Sequence, residues 1–72
     1  MIVKKSSSIS GLATIAIAES SIPYDFDAIR YDGKTIKTID CYDYQENAFA
    51  VKGMVDLEGK DVQFLLKGKV VE

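Results

Sequence analysis

Apolar and polar residues alternate along the last third of the chain, from Ala48 to Val71. This alternation has the two-residue period of a β-strand with one buried face. Glu58-Gly59 interrupts it near the middle, and a glycine there suits the two-residue turn of a β-hairpin. The sequence therefore predicts a terminal hairpin in which Val55 pairs with Val62. Its register also pairs glycines with phenylalanines, namely Gly53 with Phe64 and Gly68 with Phe49.

The predicted hairpin has an apolar face and a polar face, because alternate side chains of a strand point to opposite sides of the sheet. The apolar face, which we expect in the core, consists of Phe49, Val51, Val55, Leu57, Val62, Phe64, Leu66 and Val70. The polar face, which we expect in water, consists of Lys52, Asp56, Asp61, Gln63, Lys67 and Lys69.

A second hairpin is predicted around Asp32-Gly33, a dipeptide suited to the positive φ angles of a type I′ turn. Residues 24–31 and 34–44 would form its strands, with Ile29 opposite Ile36 and Phe26 opposite Ile39. A three-residue loop with Gly33 in a bulge is the alternative, and it shifts the pairing by one residue. The polar connector 45–47 is short, so the strands on either side of it are expected to be neighbours.

Residues 8–19 fit two kinds of secondary structure. As a strand they place Ile9, Ala13, Ile15 and Ile17 on one face, and the β-branched side chains favour this interpretation. As a helix, started by Ser8 and ended before Pro23, they carry an apolar stripe at helical spacing. The strand is the preferred interpretation because it gives Ile15 a buried place.

With 72 residues, the chain is expected to form a single small domain, residues 1–72. The predicted fold is all-β: a small five-stranded antiparallel meander rolled into a barrel-like or strongly twisted sheet. The alternative is an α+β fold with helix 8–19 packed on a four-stranded antiparallel sheet. One cysteine cannot form an internal disulfide, and so small a core favours association with another protein or with a second copy.

The composition excludes several kinds of chemistry. Histidine is absent, which removes Ser-His-Asp and Cys-His nucleophiles and histidine-bound zinc. No calcium loop or phosphate loop is present, so no cofactor and no metal are expected. Cys41 lies between Asp40 and Tyr42, and we expect it to be an inert small apolar residue. The chain is predicted not to be an enzyme, and a small carboxylate-dependent enzyme is the least favoured alternative.

Aromatic and acidic residues are interleaved in the middle of the chain, where residues 19–46 carry seven acidic and three basic side chains. We name the candidate partner-binding set the acidic-aromatic surface, and it comprises Tyr24, Asp25, Asp40, Tyr42, Asp43, Tyr44 and Glu46. Rigid aromatic rings beside carboxylates are typical of contacts with a cationic protein. The alternative is that the tyrosines belong partly to the core and the acids merely face water.

The preferred function is a non-catalytic protein-binding module, such as a small inhibitor or accessory subunit. It would bind another protein, of unknown identity, through the acidic-aromatic surface or an open strand edge, and it would also form a homodimer. The alternative is a nucleic-acid-binding small β-barrel using Lys52, Lys67 and Lys69. Nucleic acid is the less favoured partner because the net charge is −2.

The first 18 residues resemble a signal peptide in outline. Lys4 and Lys5 precede an apolar stretch that ends in Ala16-Ile17-Ala18, an A-x-A pattern. Ser10, Gly11 and Thr14 interrupt that stretch, so a cytoplasmic location is expected and export is the alternative. No stretch is long and apolar enough to predict contact with a membrane.

Overall fold

A computed structural model of the chain describes residues 1–71, which form seven β-strands and no helix. The strands are β1 Val3–Ile9, β2 Ala13–Ala18, β3 Ala28–Tyr31, β4 Lys34–Asp43, β5 Ala48–Lys52, β6 Gln63–Leu66 and β7 Lys69–Val71. They form one sheet in the order β1-β2-β5-β4-β3-β6-β7, and every pair of neighbours is antiparallel.

The structure confirms the all-β antiparallel prediction and does not contain the alternative helix at 8–19. The sheet is twisted and is not closed into a barrel. Two details of the prediction were wrong. There are seven strands rather than five, and the order is not a simple meander, because β2 pairs with β5 and β3 pairs with β6. Consecutive strands pair only where a short turn joins them.

The N-terminal segment forms a hairpin rather than a single strand. Ser10 and Gly11, with φ angles of 49° and 69°, turn the chain between β1 and β2. The predicted sidedness of β2 was wrong, because Thr14, Ala16 and Ala18 are the buried residues. The predicted core residues lie on the opposite side: Ala13, Ile15 and Ile17 are half-buried and Ile9 is exposed.

The hairpin at Asp32-Gly33 is confirmed, and of the two loops that the sequence left open it has the two-residue turn. Asp32 and Gly33 have φ angles of 48° and 74°, as a type I′ turn requires, and Ile29 pairs with Ile36. Strand β3 begins only at Ala28, so the predicted pairing of Phe26 with Ile39 is absent from this sheet. The polar connector at 45–47 also behaves as predicted, because β4 and β5 are neighbours.

The predicted terminal hairpin does not form. A turn is present at Leu57–Lys60, where the Lys60 amide donates to the Leu57 carbonyl at 3.0 Å. The segments on either side nevertheless diverge, because β5 pairs with β2 and β4 whereas β6 pairs with β3 and β7. None of the pairs predicted from that turn exists: neither Val55 with Val62, nor Gly53 with Phe64, nor Gly68 with Phe49.

Burial in this region was predicted better than pairing. Phe49, Val51, Leu57, Val62 and Phe64 are buried, as expected, and together with Ile29 and Val3 they form much of the core. Val55 and Leu66 are only half-buried, and Val70 is 47% exposed, which contradicts its assignment to the core. The six residues predicted to face water are all exposed.

The segment between β5 and β6 runs beneath the first half of the sheet and is tied to it by hydrogen bonds. The buried Thr14 hydroxyl donates to the Gly53 carbonyl at 2.8 Å and accepts from the Val55 amide at 3.0 Å. The Gly59 amide then donates to the Val3 carbonyl at 2.8 Å. These bonds connect the β1 edge to the chain that enters β6, and they enclose the core between the two ends of the sheet.

Candidate functional site

A bulge in β4 determines which side chain reaches the core at the candidate site. Ile39 pairs with Ala50 and Tyr42 pairs with Phe49, so Asp40 and Cys41 have no counterpart on β5. Without these two extra residues, alternation would place Asp40 opposite the buried Phe49. The bulge instead places Tyr42 there and turns Asp40 and Cys41 outward, where both are exposed.

Six aromatic rings form a continuous series from the core to the surface. Phe49 and Phe64 lie 5.1 Å apart between ring centroids, and Phe26 contacts Phe64 at 4.8 Å. The series continues outward from Phe26 to Tyr42 at 4.9 Å, from Tyr42 to Tyr44 at 5.7 Å and from Tyr44 to Tyr24 at 5.1 Å. These distances are within the range of favourable aromatic pairs, so the buried rings hold the exposed ones in place.

Tyr24 is the outermost ring of the series. It is 85% exposed, and its backbone carbonyl accepts a hydrogen bond from the Tyr44 hydroxyl. This bond fixes the loop that precedes β3 against the end of β4. The loop therefore presents a large aromatic side chain to solvent from a supported backbone.

The carboxylates gather around the outer rings. Hydrogen bonding to Asp40, partial burial, and the negative charges of Asp40, Tyr44 and Asp25 together raise the pKa of Tyr42 to about 12. Asp43 accepts hydrogen bonds from the Gln45 and Glu46 amides at 3.1 and 3.3 Å, and this side chain orders the turn after β4. Asp25 and Asp40 thus lie near the outer rings while remaining exposed.

An apolar groove of about 710 Å³ adjoins this cluster and shares Tyr24 and Asp25 with it. Its other walls are formed mainly by the loop before β3 and by the β6–β7 hairpin: Met1, Ser21, Ile22, Pro23, Val62, Gln63, Phe64, Leu66, Val70 and Val71. The groove follows β7, the edge strand of the sheet. Leu66 and Lys69 flank a two-residue turn and therefore form a hydrogen-bonded pair, so the backbone groups of Val70 point away from β6.

The structure therefore brings Tyr24, Asp25, Asp40, Tyr42 and Tyr44 together, and it places Asp43 at the end of β4 and Glu46 in the turn that follows. The two tyrosines of β4 and its turn are half-buried and pack against the core, as the alternative interpretation expected, whereas Tyr24 does not. The groove was missed from sequence. The one sign of the groove in the sequence is the apolar pair Val70-Val71, because the predicted hairpin places no apolar residue opposite these two valines.

The three lysines proposed for nucleic-acid binding do not share a hairpin. Lys52 ends β5, whereas Lys67 and Lys69 belong to the β6–β7 hairpin, and β4 and β3 lie between β5 and β6 in the sheet. The premise of a single basic strip was therefore wrong. Cys41, expected to be an inert residue, is a free thiol exposed on the bulge of β4.

Comparison of the chain with protein-family models, with curated proteins and with solved structures finds no match. Among residues 1–71, no helix has the length and apolar character required to cross a membrane. Assignment of a function therefore depends on the geometry of the acidic-aromatic surface and the groove beside it.

Proposed function

We propose that the chain is a non-catalytic protein-binding module, such as a small inhibitor or accessory subunit, that captures an extended cationic segment of another protein. The observation that carries the proposal is the exposed Tyr24, held by Tyr44 at the junction of the acidic-aromatic surface and the apolar groove. A ring this exposed adds little to the core. Its supported position suits a contact with a partner.

The chemistry of the two surfaces defines the segment. Lysine or arginine side chains would lie over the faces of Tyr24 and Tyr44 and beside Asp25, where the rings and the carboxylate both attract a cation. Apolar side chains at alternate positions would enter the groove, and the free backbone groups of Val70 would accept or donate one pair of strand hydrogen bonds. An extended peptide with alternating basic and apolar residues matches both surfaces.

The exposure of the carboxylates supports binding rather than catalysis. All ten acidic side chains among residues 1–71 are exposed. Catalytic carboxyl groups usually depend on burial or close pairing to adjust their pKa, and these residues have the hydration of a recognition surface.

The test is direct titration with a synthetic peptide of alternating arginine and valine. Binding can be followed by tyrosine fluorescence, since the chain has four tyrosines and no tryptophan. We expect Tyr24→Ala to weaken binding about tenfold and Asp25→Asn to weaken it about threefold, because each removes an attraction for the cation.

Glu58→Gln is the matched control, because Glu58 is also an exposed acid but lies in the turn before β6. It should leave the affinity unchanged. Equal losses in Glu58→Gln and Asp25→Asn would mean that the peptide follows net charge alone, and the proposed surface would then be wrong. Far-UV circular dichroism of each variant checks that the sheet is intact.

A further inference from the structure

Strands β2 and β5 are apolar on both sides of the sheet, although only one side belongs to the core. On the core side, Ala16 of β2 pairs with Phe49 of β5, and both are fully buried. On the other side lie Ile15 and Ile17 of β2. An antiparallel sheet with one side in water normally carries polar residues there, so these isoleucines need another explanation.

The strand register collects these residues into two adjacent rows. Ile15 lies beside Ala50, which lies beside Ile39, and Ile17 lies beside Ala48 in the next row. We call the resulting surface the outer face, and its apolar members are Ile9, Ile15, Ile17, Ile39, Ala48 and Ala50. Ile9 is 51% exposed and Ile39 is 36% exposed. A contiguous apolar patch of this kind marks a site of association.

We propose that two copies of this chain pack face to face through the outer face, about a two-fold axis parallel to β2 and β5. Apart from Asp43, which also belongs to the acidic-aromatic surface, this inference uses residues outside the proposed peptide site. It rests first on shape: Ile17 on β2 lies beside the small, half-buried Ala48 on β5, whereas Ala50 is only 2% exposed and is already covered. The two-fold axis places Ile17 of each copy over Ala48 of the other copy, so a large side chain meets a small one twice.

Charge complementarity supports the same axis. Lys5 pairs with Ile17 at one end of a row, and Asp43 pairs with Ala48 at its other end. A two-fold axis between β2 and β5 exchanges the ends of the row. Lys5 of each copy then lies over Asp43 of the other copy. The dimer therefore has two Lys5–Asp43 ion pairs at the rim of the interface.

The area of the outer face limits how tightly the two copies are expected to associate. Four strands about 4.8 Å apart and five residues long, with a rise of about 3.4 Å each, cover roughly 300–400 Å². Burying this area on both copies stays below the roughly 1,200 Å² of a standard interface. The dimer is therefore weak and exchanges with monomer.

Sedimentation velocity over a concentration series tests the proposal with the intact chain. The wild type should shift from monomer to dimer as its concentration rises. Ala48→Ile places a second large side chain opposite Ile17 and should raise the dissociation constant about tenfold or more, although it makes the outer face more apolar. Exchanging the large and the small residue in the double variant Ile17→Ala with Ala48→Ile should recover the wild-type constant.

Ile15→Glu and Val70→Glu form a second matched pair, since each places a carboxylate on a strand but only Ile15 belongs to the outer face. We expect Ile15→Glu to abolish the dimer and Val70→Glu to leave it unchanged. A monomeric wild type at every concentration would overturn the proposal, as would stronger association of Ala48→Ile, which would indicate unspecific adhesion. Peptide binding measured on dilute monomer is unaffected by either result and therefore separates this proposal from the proposed function.

Discussion

The two threonines that face the interior, Thr14 and Thr38, are expected to respond in opposite ways to the same substitution. Thr14 is fully buried, and its hydroxyl satisfies two backbone groups, the Gly53 carbonyl and the Val55 amide. The buried Thr38 hydroxyl has no protein partner among residues 1–71. Threonine to valine preserves the shape at each position and removes only the hydroxyl, so the difference between the two variants isolates hydrogen bonding.

For Thr14→Val we expect a loss of about 2–3 kcal/mol in the free energy of unfolding. Each lost hydrogen bond contributes about 1 kcal/mol, and leaving its partner unsatisfied adds a further fraction of the roughly 1–3 kcal/mol desolvation cost. Gly53 and Val55 are half-buried, so water partly replaces the threonine and the loss stays in the lower part of the range. For Thr38→Val we expect a gain of about 0.5–1 kcal/mol, because a buried hydroxyl without a partner is removed.

Urea unfolding followed by circular dichroism measures both values. A 72-residue domain has a total stability of roughly 4–11 kcal/mol, so the Thr14 variant should lose a large share of it and melt roughly 10–20 °C lower. The slope of the unfolding free energy against urea should not change. The reasoning is refuted if Thr14→Val stays within about 0.5 kcal/mol of the wild type, or if both variants lose the same unfolding free energy. Either result would mean that the Thr14 hydroxyl does not hold the segment between β5 and β6.

Two further perturbations test the environment of β4. The pKa of Tyr42, raised to about 12, should appear in an absorbance titration at alkaline pH as a tyrosine transition with its midpoint near that value, and Asp40→Asn should move this midpoint back toward 10. Since the folded pKa lies above the unfolded value, this tyrosine contributes stability that is complete below pH 10 and is lost between about pH 10 and 12. Gly33→Ala should destabilise the protein by about 1–2 kcal/mol in urea unfolding, because Gly33 has a φ of 74° and a methyl group there would meet no atom within 4 Å, so the cost is conformational. An unchanged midpoint in either experiment would contradict the corresponding structural assignment.

Turns were predictable from the sequence because their chemistry is local. Asp32-Gly33 can adopt two successive positive φ angles at low cost, and the turn forms where the sequence predicts it. The turn at Glu58-Gly59 also forms, but the strands beside it were assigned to the wrong partners. An alternating strand has the same pattern against any neighbour, and here the Thr14 hydroxyl draws residues 53–55 under β2 instead of back along β6.

The core side of β2 was not predictable from periodicity, because both of its sides are apolar. Because isoleucine is larger and more hydrophobic than alanine, hydrophobicity predicts that the isoleucines of β2 face the core. The smaller Ala16 and Ala18 face it instead. The core is filled from across the interior by large rings and by Leu57, so small side chains are needed on β2. The large isoleucines then remain on the outer face, which is the pattern that the proposed dimer explains.

The bulge at Asp40-Cys41 links the core to the candidate site. Strict alternation in β4 would bury an aspartate opposite Phe49, at a cost of several kcal/mol for an unpaired carboxylate. The two extra residues avoid that cost by placing Tyr42 in the core position. They also place Asp40 beside the Tyr42 hydroxyl at the surface, where the series of aromatic rings reaches solvent. The same local irregularity therefore completes the packing around Phe26 and assembles the acidic-aromatic surface, so the stability of the sheet and the proposed binding site both depend on this strand.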